Sequence, residues 1–193
     1  KQNIIMKKLL FLLLMGASAI TSAQNITFAD TNFRNALVNT LCVDIDGDDS
    51  PDVDVDANDD GIIQLSEALA IQRLNVLGTG IQSMSGIENF TNLIKLECGY
   101  NEIQSLDVHL LTNLQYLDCA ENQINTLNIQ GLVNLNTLIC NTNQLSTLDV
   151  QGLNAIQTLN CNWNPLGSIN VQNLSNLKHL NCEGSQLVSL DVQ

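Results

Sequence analysis

The sequence predicts a solenoid of stacked coils carrying short parallel β-strands, closed at its N-terminal end by an α-helical cap. Three observations predict it. From Asn92 onward a pattern recurs every 21 residues, with Cys98, Cys119, Cys140, Cys161 and Cys182 in one column and Asn101, Asn122, Asn143 and Asn164 three places later. The apolar positions Leu93, Leu96, Ile103, Leu106, Val108 and Leu111 of the first copy return at the same offsets in the next three, and in the fifth as far as Val192. Ahead of the array stand one helical apolar period and a run of aspartates, with no linker between them and the first coil. A unit this short cannot bury its apolar face alone, so a fixed period of this length means coils that stack.

Composition narrows the partners. The chain of 193 residues suits one domain or an elongated array that buries its core coil by coil. All 20 acidic residues lie after residue 23, where only Arg34, Arg73, Lys95 and Lys178 are basic. Four dispersed cations cannot make a phosphate-binding surface, which excludes nucleic acid as a partner. An acidic surface suits solubility and divalent cations.

Residues 1–23 read as a secretion signal, with translation starting at Met6. Lys7 and Lys8 give the positive region, Leu9 to Met15 the apolar stretch, and Thr21, Ser22 and Ala23 a small-residue cleavage site before Gln24. The apolar run is shorter than the roughly 20 residues of a membrane span. No cysteine near the cleavage site offers a lipid anchor. The expected location is therefore extracellular, secreted or at the cell surface.

Residues 24–70 form the expected cap. Asp30 is placed to cap a helix whose Phe33, Ala36, Leu37 and Leu41 fall on one apolar face. A lone helix of this length is marginal in water, so it is expected to dock on the open first end of the array.

Nine aspartates crowd residues 44–60. Within and after them, Asp56, Asn58, Asp60, Gly61, Ile62, Gln64 and Glu67 resemble the twelve-position calcium loop of the EF-hand. The resemblance implies side-chain oxygens from Asp56, Asn58 and Asp60, the Ile62 carbonyl, Gln64 through a water, and Glu67 closing the site bidentately. Pro51 and the alternating Asp-Val stretch leave no helix before the loop, so only a following helix, over about 65–74, is expected. The site is thus similar to the helix-lacking calcium loops of secreted modules. Asp44, Asp46, Asp48 and Asp52 resemble, more weakly, a second such run. Calcium is expected to be structural, neutralising the cluster and fixing the cap.

The array begins at Ile71, whose coil of 22 residues leads to Leu93 through Leu74, Val76, Thr79 and Ile81. Its pattern resembles the leucine-rich repeat, LxxLxLxxNxL, with Cys in the third Leu place, over about half the chain. The doubled SLDV and TLDV segments at 105–108 and 147–150 are similar to the short repeats of secreted Bacteroidetes-type proteins, implying a tight solenoid instead of a wide horseshoe. The GIENFTNL segment at 86–93 is similar to the opening coil of internalin-like proteins. The resemblance implies strands centred on the LxC residues, about 4.8 Å apart. The Asn column is expected to turn inward onto backbone groups that cannot stay unpaired when buried. Ser185 can do so only in part, which predicts a looser fifth coil.

In-register strands set the column cysteines side by side with parallel Cβ vectors, a poor geometry for disulfides. Val76 holds the same place in the first coil, so a buried ladder of free thiols is expected. The state of Cys42 stays open. The cysteine spacing carries no zinc signature.

Between the buried positions, variable residues face solvent on the side the resemblance makes concave, where such folds bind partners. Tyr116, Ile139, Trp163 and His179 are the candidate contacts for a protein or glycan ligand, set against the plainer reading of scattered exposed side chains. His109 and His179 stand beside no nucleophile motif, so no catalysis is expected. The sequence is read as a secreted or cell-surface binding module stabilised by calcium. Its array, 71–193, is read as truncated at Gln193. The alternatives are the non-catalytic front part of a larger secreted enzyme or sorted surface protein, and a passive spacer.

Overall fold

A computed structural model describes residues 24–191. The expected signal segment, 1–23, lies outside the described residues, as do Val192 and Gln193. Two α-helices, α1 (Thr31–Asn39) and α2 (Leu65–Ala70), precede ten three-residue strands. These are β1 (Arg73–Asn75), β2 (Lys95–Glu97), β3 (Ser105–Asp107), β4 (Tyr116–Asp118), β5 (Thr126–Asn128), β6 (Thr137–Ile139), β7 (Thr158–Asn160), β8 (Ser168–Asn170), β9 (His179–Asn181) and β10 (Ser189–Asp191). One parallel sheet runs β1-β2-β4-β6-β7-β9, one strand from each coil. Its register pairs Leu74 with Leu96, then Leu117, Leu138, Leu159 and Leu180, a step of 22 residues followed by steps of 21. This is the expected parallel-strand solenoid. Among the described residues no helix is long and apolar enough to cross a membrane.

The strands centre on the second Leu of each repeat, and Cys98 and its equivalents come just after them. The ladder still runs on through that place, as Cys98 N donates to the Asp118 carbonyl at 2.8 Å and Cys119 N to the Ile139 carbonyl at 2.8 Å. The SLDV halves form two side pairs, β3 with β5 and β8 with β10. The third 21-residue copy makes no strand at 147–149, although Leu148 stays buried. One apolar core runs from Phe33 in the cap to Leu174, and each fully buried Leu or Ile stabilises it by about 1.5–3 kcal/mol.

Asparagines close the coils from within. Asn143 Nδ2 donates to the carbonyls of Cys119, Cys140 and Asn141 at 3.0, 3.1 and 3.2 Å, and its Oδ1 accepts from Ile124 N at 2.8 Å. Asn101, Asn122 and Asn164 repeat this plan. Ser185 reaches only the Cys161 carbonyl, at 3.1 Å, as its shorter side chain allows. A second, outer ladder escaped the sequence reading. Asn113, Asn134 and Asn176 each donate to a carbonyl of the preceding coil, Asn92 donates to the Leu69 carbonyl at the end of α2, and Ala155 interrupts the row.

The cap docks on the first coil as expected. One carboxylate does two jobs: Asp30 Oδ1 accepts from Asn32 N and Phe33 N at the start of α1, and its Oδ2 accepts from Gln82 N and Ser83 N at 2.7 and 3.0 Å. Phe28 packs edge-on against Phe33, with ring centroids 5.3 Å apart. It also lies over Gly86, where φ is +106° and an added Cβ would come within 2.6 Å of the ring, so only glycine fits. Val43 bridges both Val53 and Leu74, covering the free edge of β1.

Two helix expectations are corrected. α1 stops at Asn39, where Thr40 turns extended and its hydroxyl donates to the Ala36 carbonyl. Leu41 is therefore 50% exposed, and Cys42 enters the core instead. α2 ends at Ala70, short of residue 74, because Arg73–Asn75 must extend to pair with β2.

All six cysteines are free, and five of them, including Cys42, are buried. Burial pushes the thiols of Cys98, Cys119 and Cys140 well above their ordinary range, and those of Cys42 and Cys161 up to about 12. Cys182 is partly exposed. Thiol titration of the native chain at mild alkaline pH is expected to find one reactive group, Cys182, rising to six on denaturation. Rapid native reaction of several thiols would contradict the ladder.

Candidate functional site

The loop 56–67 closes on itself. Asp56, only 2% exposed, accepts from Asp60 N at 3.1 Å and Gly61 N at 2.8 Å. Asn58 Oδ1 accepts from Asp60 N, and Asn58 Nδ2 donates to Gln64 Oε1 at 3.1 Å. Gln64 Nε2 in turn donates to Asp60 Oδ2 at 2.9 Å. Glu67, 1% exposed, reaches back so that Oε1 accepts from Ala57 N and Oε2 from Gln64 N, both at 2.9 Å. The loop leaves along the chain start, where Ile26 N donates to the Ile63 carbonyl and Asn25 bridges Gln64. The Ile62 side chain is exposed, and the Arg34 guanidinium donates to the Gly61 carbonyl.

Burial pushes the Glu67 carboxyl up; the N–H groups of Gln64, Ala57 and Asn58 pull it back and the Asp56 charge adds to the rise. Among the described residues no ion pair reaches Asp56 or Glu67. Two buried carboxylates without a cationic partner are costly. Their all-oxygen donor set suits a hard divalent ion such as calcium.

The second acidic run folds on the same plan. Residues three and five places after its first aspartate are left-handed, Gly47 and Asp49, as Asp59 and Gly61 are after Asp56. Asp44 accepts from Gly47 N at 2.6 Å and Asp49 N at 3.2 Å, and Asp52 accepts from Ile45 N. Carboxylate oxygens of Asp44, Asp46 and Asp48 lie within 4.8 Å of one another. The buried Val55 stands where the first loop has Glu67, so this run lacks a closing carboxylate.

The outer face of the six-stranded sheet carries the four candidate contact residues. Tyr116 lies in β4, Ile139 in β6 and His179 in β9, while Trp163 follows β7. Tyr116 and His179 share a column, three strands or about 14 Å apart. They are not equally available. Tyr116 is half-buried under Lys95, whose Nζ sits 5.0 Å from the ring centroid, and burial pushes its phenol up. Ile139 is half-buried, whereas His179 is exposed and Trp163 is 58% exposed. The two histidines lie apart, His109 past the side strand β3 with Nδ1 2.6 Å from Asp107 Oδ1, and His179 on the main sheet.

Two features of this face were invisible in the sequence. Lys95 pairs with Asp49 from the acidic loop at 2.7 Å and with Glu97 at 3.3 Å, joining the cap to the sheet face. Desolvation pulls the Lys95 ammonium down, yet these carboxylates hold it above its ordinary value. Second, Tyr100, Glu121, Thr142 and Trp163 all hold φ near +54°, at the place where the end coils have Gly78 and Gly184. Each costs about 1 kcal/mol. The two glycines were the only trace of that backbone need in the sequence.

The geometry defines a leucine-rich repeat solenoid with an asparagine ladder, a cysteine ladder and a helical cap. Neither a protein-family model nor a curated protein matches the chain in sequence. Solved structures do match it. The functional domain of InlJ from Listeria monocytogenes, which includes a cysteine ladder, shares 30% identity at a TM-score of 0.74, over 90% of this chain and 37% of that one. An internalin, InlF, from the same species shares 22% identity at a TM-score of 0.55, over 90% of this chain and 53% of that one. The chain therefore spans 37% and 53% of the length of these two structures. Its structural neighbours are Listeria internalins.

Proposed function

We propose that the chain is a secreted or cell-surface recognition module that binds a protein or glycan on the outer, concave face of its six-stranded sheet, with calcium supporting the cap. One observation carries the reading. Inward positions barely change from coil to coil, whereas the two outward columns read Lys95, Tyr116, Thr137, Thr158, His179 and Glu97, Asp118, Ile139, Asn160, Asn181. A rigid sheet that holds varied side chains at fixed spacing offers a graded contact surface without reorganisation on binding. The internalin-like fold supports this role. The buried carboxylates of Asp56 and Glu67, which no cation pairs among the described residues, support calcium, with Asp60, Asn58, Gln64 and the Ile62 carbonyl completing the first loop and Asp44, Asp46, Asp48 and Asp52 a second.

The test is a substitution that blocks a ligand of any class. Ile139→Arg sets a long charged side chain mid-face and is expected to weaken binding to arrayed extracellular proteins and glycans by about tenfold or more. Thr126→Arg, exposed on the side strand β5, is expected to change nothing. Equal binding by both variants at unchanged melting temperature would remove the sheet face from the account.

A further inference from the structure

The sheet face changes chemically along its length. At the cap end, Arg73, Lys95, Glu97, Asp118 and the loop residue Asp49 form a charged group, in which Lys95 pairs with Asp49 and Glu97 and Arg73 with Asp44. In the middle of the face, on β6 and β7 and just beyond, the outward residues Thr137, Ile139, Asn141, Thr158, Asn160 and Asn162 carry no charge, and past them β9 brings His179 and, just after it, Glu183. Resting on the concave-face reading above, we propose that this uncharged middle binds a neutral glycan, with hydroxyls on the amides of Asn141, Asn160 and Asn162 and one sugar ring against Trp163.

The amides are linked but not saturated. Asn160 Nδ2 donates to Asn141 Oδ1 at 3.2 Å, and Asn141 Nδ2 to Thr142 Oγ1 at 3.4 Å. Asn160 Oδ1 accepts from Asn162 N at 3.5 Å, which holds the row in register. Asn162 Oδ1 is shielded from water yet has no hydrogen-bond partner among the described residues. That shielded oxygen is out of a ligand's reach, but a primary amide offers two donors and two lone pairs, and the half-buried Asn141 and Asn160 use only some of theirs, so the row keeps spare capacity of both kinds. A sugar hydroxyl both donates and accepts, and matches such a row directly. An anionic ligand finds no lysine or arginine among these six residues to offset its desolvation.

Trp163 supplies the apolar half of the match. Its backbone is held at φ +53°, and its ring lies over Gly184, where an added Cβ would come within 2.7 Å of Cε3. One ring face is thus covered by glycine backbone while the side chain remains 58% exposed. An aromatic plate held by the residue that follows Asn162 suits the C–H face of a sugar ring whose hydroxyls point to its rim. A peptide ligand would instead need apolar pockets for its side chains. Two cavities lie elsewhere, one at Asp44, Arg73, Lys95 and Glu97 and the other at Ser83, Met84, Glu88 and Asp107.

Trp163 is the only tryptophan, so its fluorescence reads the site directly. The full chain is titrated with neutral tetrasaccharides of gluco, galacto, manno and xylo configuration, with sulfated and uronic-acid counterparts, and with arrayed extracellular proteins, at low and high salt. At least one neutral series is expected to shift the emission, with affinity unchanged by salt. Trp163→Ala, which removes the reporter and is therefore followed by titration calorimetry alongside the parent, and Asn162→Ala are each expected to weaken that binding by about tenfold, at unchanged melting temperature. The inference is overturned if no neutral tetrasaccharide perturbs Trp163 up to about 10 mM, or if its binding survives Trp163→Ala. A protein ligand that Ile139→Arg abolishes would overturn the glycan and leave the face reading standing. Glycan binding that survives both Ile139→Arg and Trp163→Ala would overturn both.

Discussion

Asn143→Ala is expected to destabilise the solenoid by about 3–5 kcal/mol, among the largest losses open to a single side chain outside the apolar core. The residue is buried and acts as a four-way connector. Its Oδ1 satisfies Ile124 N, and its Nδ2 satisfies carbonyls of its own coil and of the coil before. Alanine removes all of these partners at once, and a single water in the space it opens cannot reproduce all four bonds in their geometry. An abandoned buried donor or acceptor costs about 1–3 kcal/mol, and the carbonyls retain some ladder bonds, so the sum stays below the simple total. Asn134→Ala, which deletes one exposed bond to the Thr112 carbonyl at 2.9 Å, is expected to cost under about 1 kcal/mol. Urea denaturation of both variants makes the comparison. In a stacked array each coil contacts only its neighbours, so a weakened coil at Asn143 also lowers cooperativity, seen as a reduced dependence on denaturant. Equal losses for the two variants would mean that the inner ladder is no more than another surface row.

The same ladder explains how much of the fold was legible beforehand. Cys98, Asn101 and Leu106 recur without slip because each solves a problem that every coil poses: inward volume, unpaired loop carbonyls, a second apolar edge. Repetition made those solutions visible. Solutions used once were not. Where α1 ends depends on Val43 reaching the edge of β1, a contact across 31 residues that no local period announces. The outer row Asn92, Asn113 and Asn134 repeats as faithfully as the inner one, but asparagine in a polar loop looks like ordinary turn chemistry until its carbonyl partner is seen. The candidate face was legible as columns, since strand alternation fixes which residues point out. Its electrostatics were not. Tyr116 looked like a free anchor, and only the placement of Lys95 over its ring and of Asp49 beside that ammonium shows it engaged. The acidic loops were legible as spacing, whereas their common left-handed backbone came only with the coordinates.

Calcium is expected to raise the melting temperature of the chain, and Glu67 to decide by how much. In the loop as folded, the Glu67 carboxylate satisfies backbone N–H groups of Ala57 and Gln64. Glu67→Ala therefore destabilises the cap by about 2–4 kcal/mol even in chelator, because those donors lose a buried partner. Glu67→Gln keeps the shape and one acceptor while removing a charge, so in chelator it is expected to lie far closer to the parent. The two variants converge on a different measurement. A cation bound only by the folded loop stabilises it by about 1.4 kcal/mol at ten times its dissociation constant, which for a chain of this size is a rise of about 3–6 °C. Both variants, and Asp56→Ala, are expected to lose that rise. Asp44→Ala with Asp48→Ala is expected to keep most of it, because Val55 leaves the second loop without the closing carboxylate that Glu67 gives the first. A parent chain that melts at one temperature in calcium and in chelator would sink the metal assignment, while a rise that survives Glu67→Gln but not Asp44→Ala with Asp48→Ala would move the ion to the second loop. That loop holds Asp49, the partner of Lys95 on the sheet face, so in that case calcium and the ligand would meet through a single ion pair.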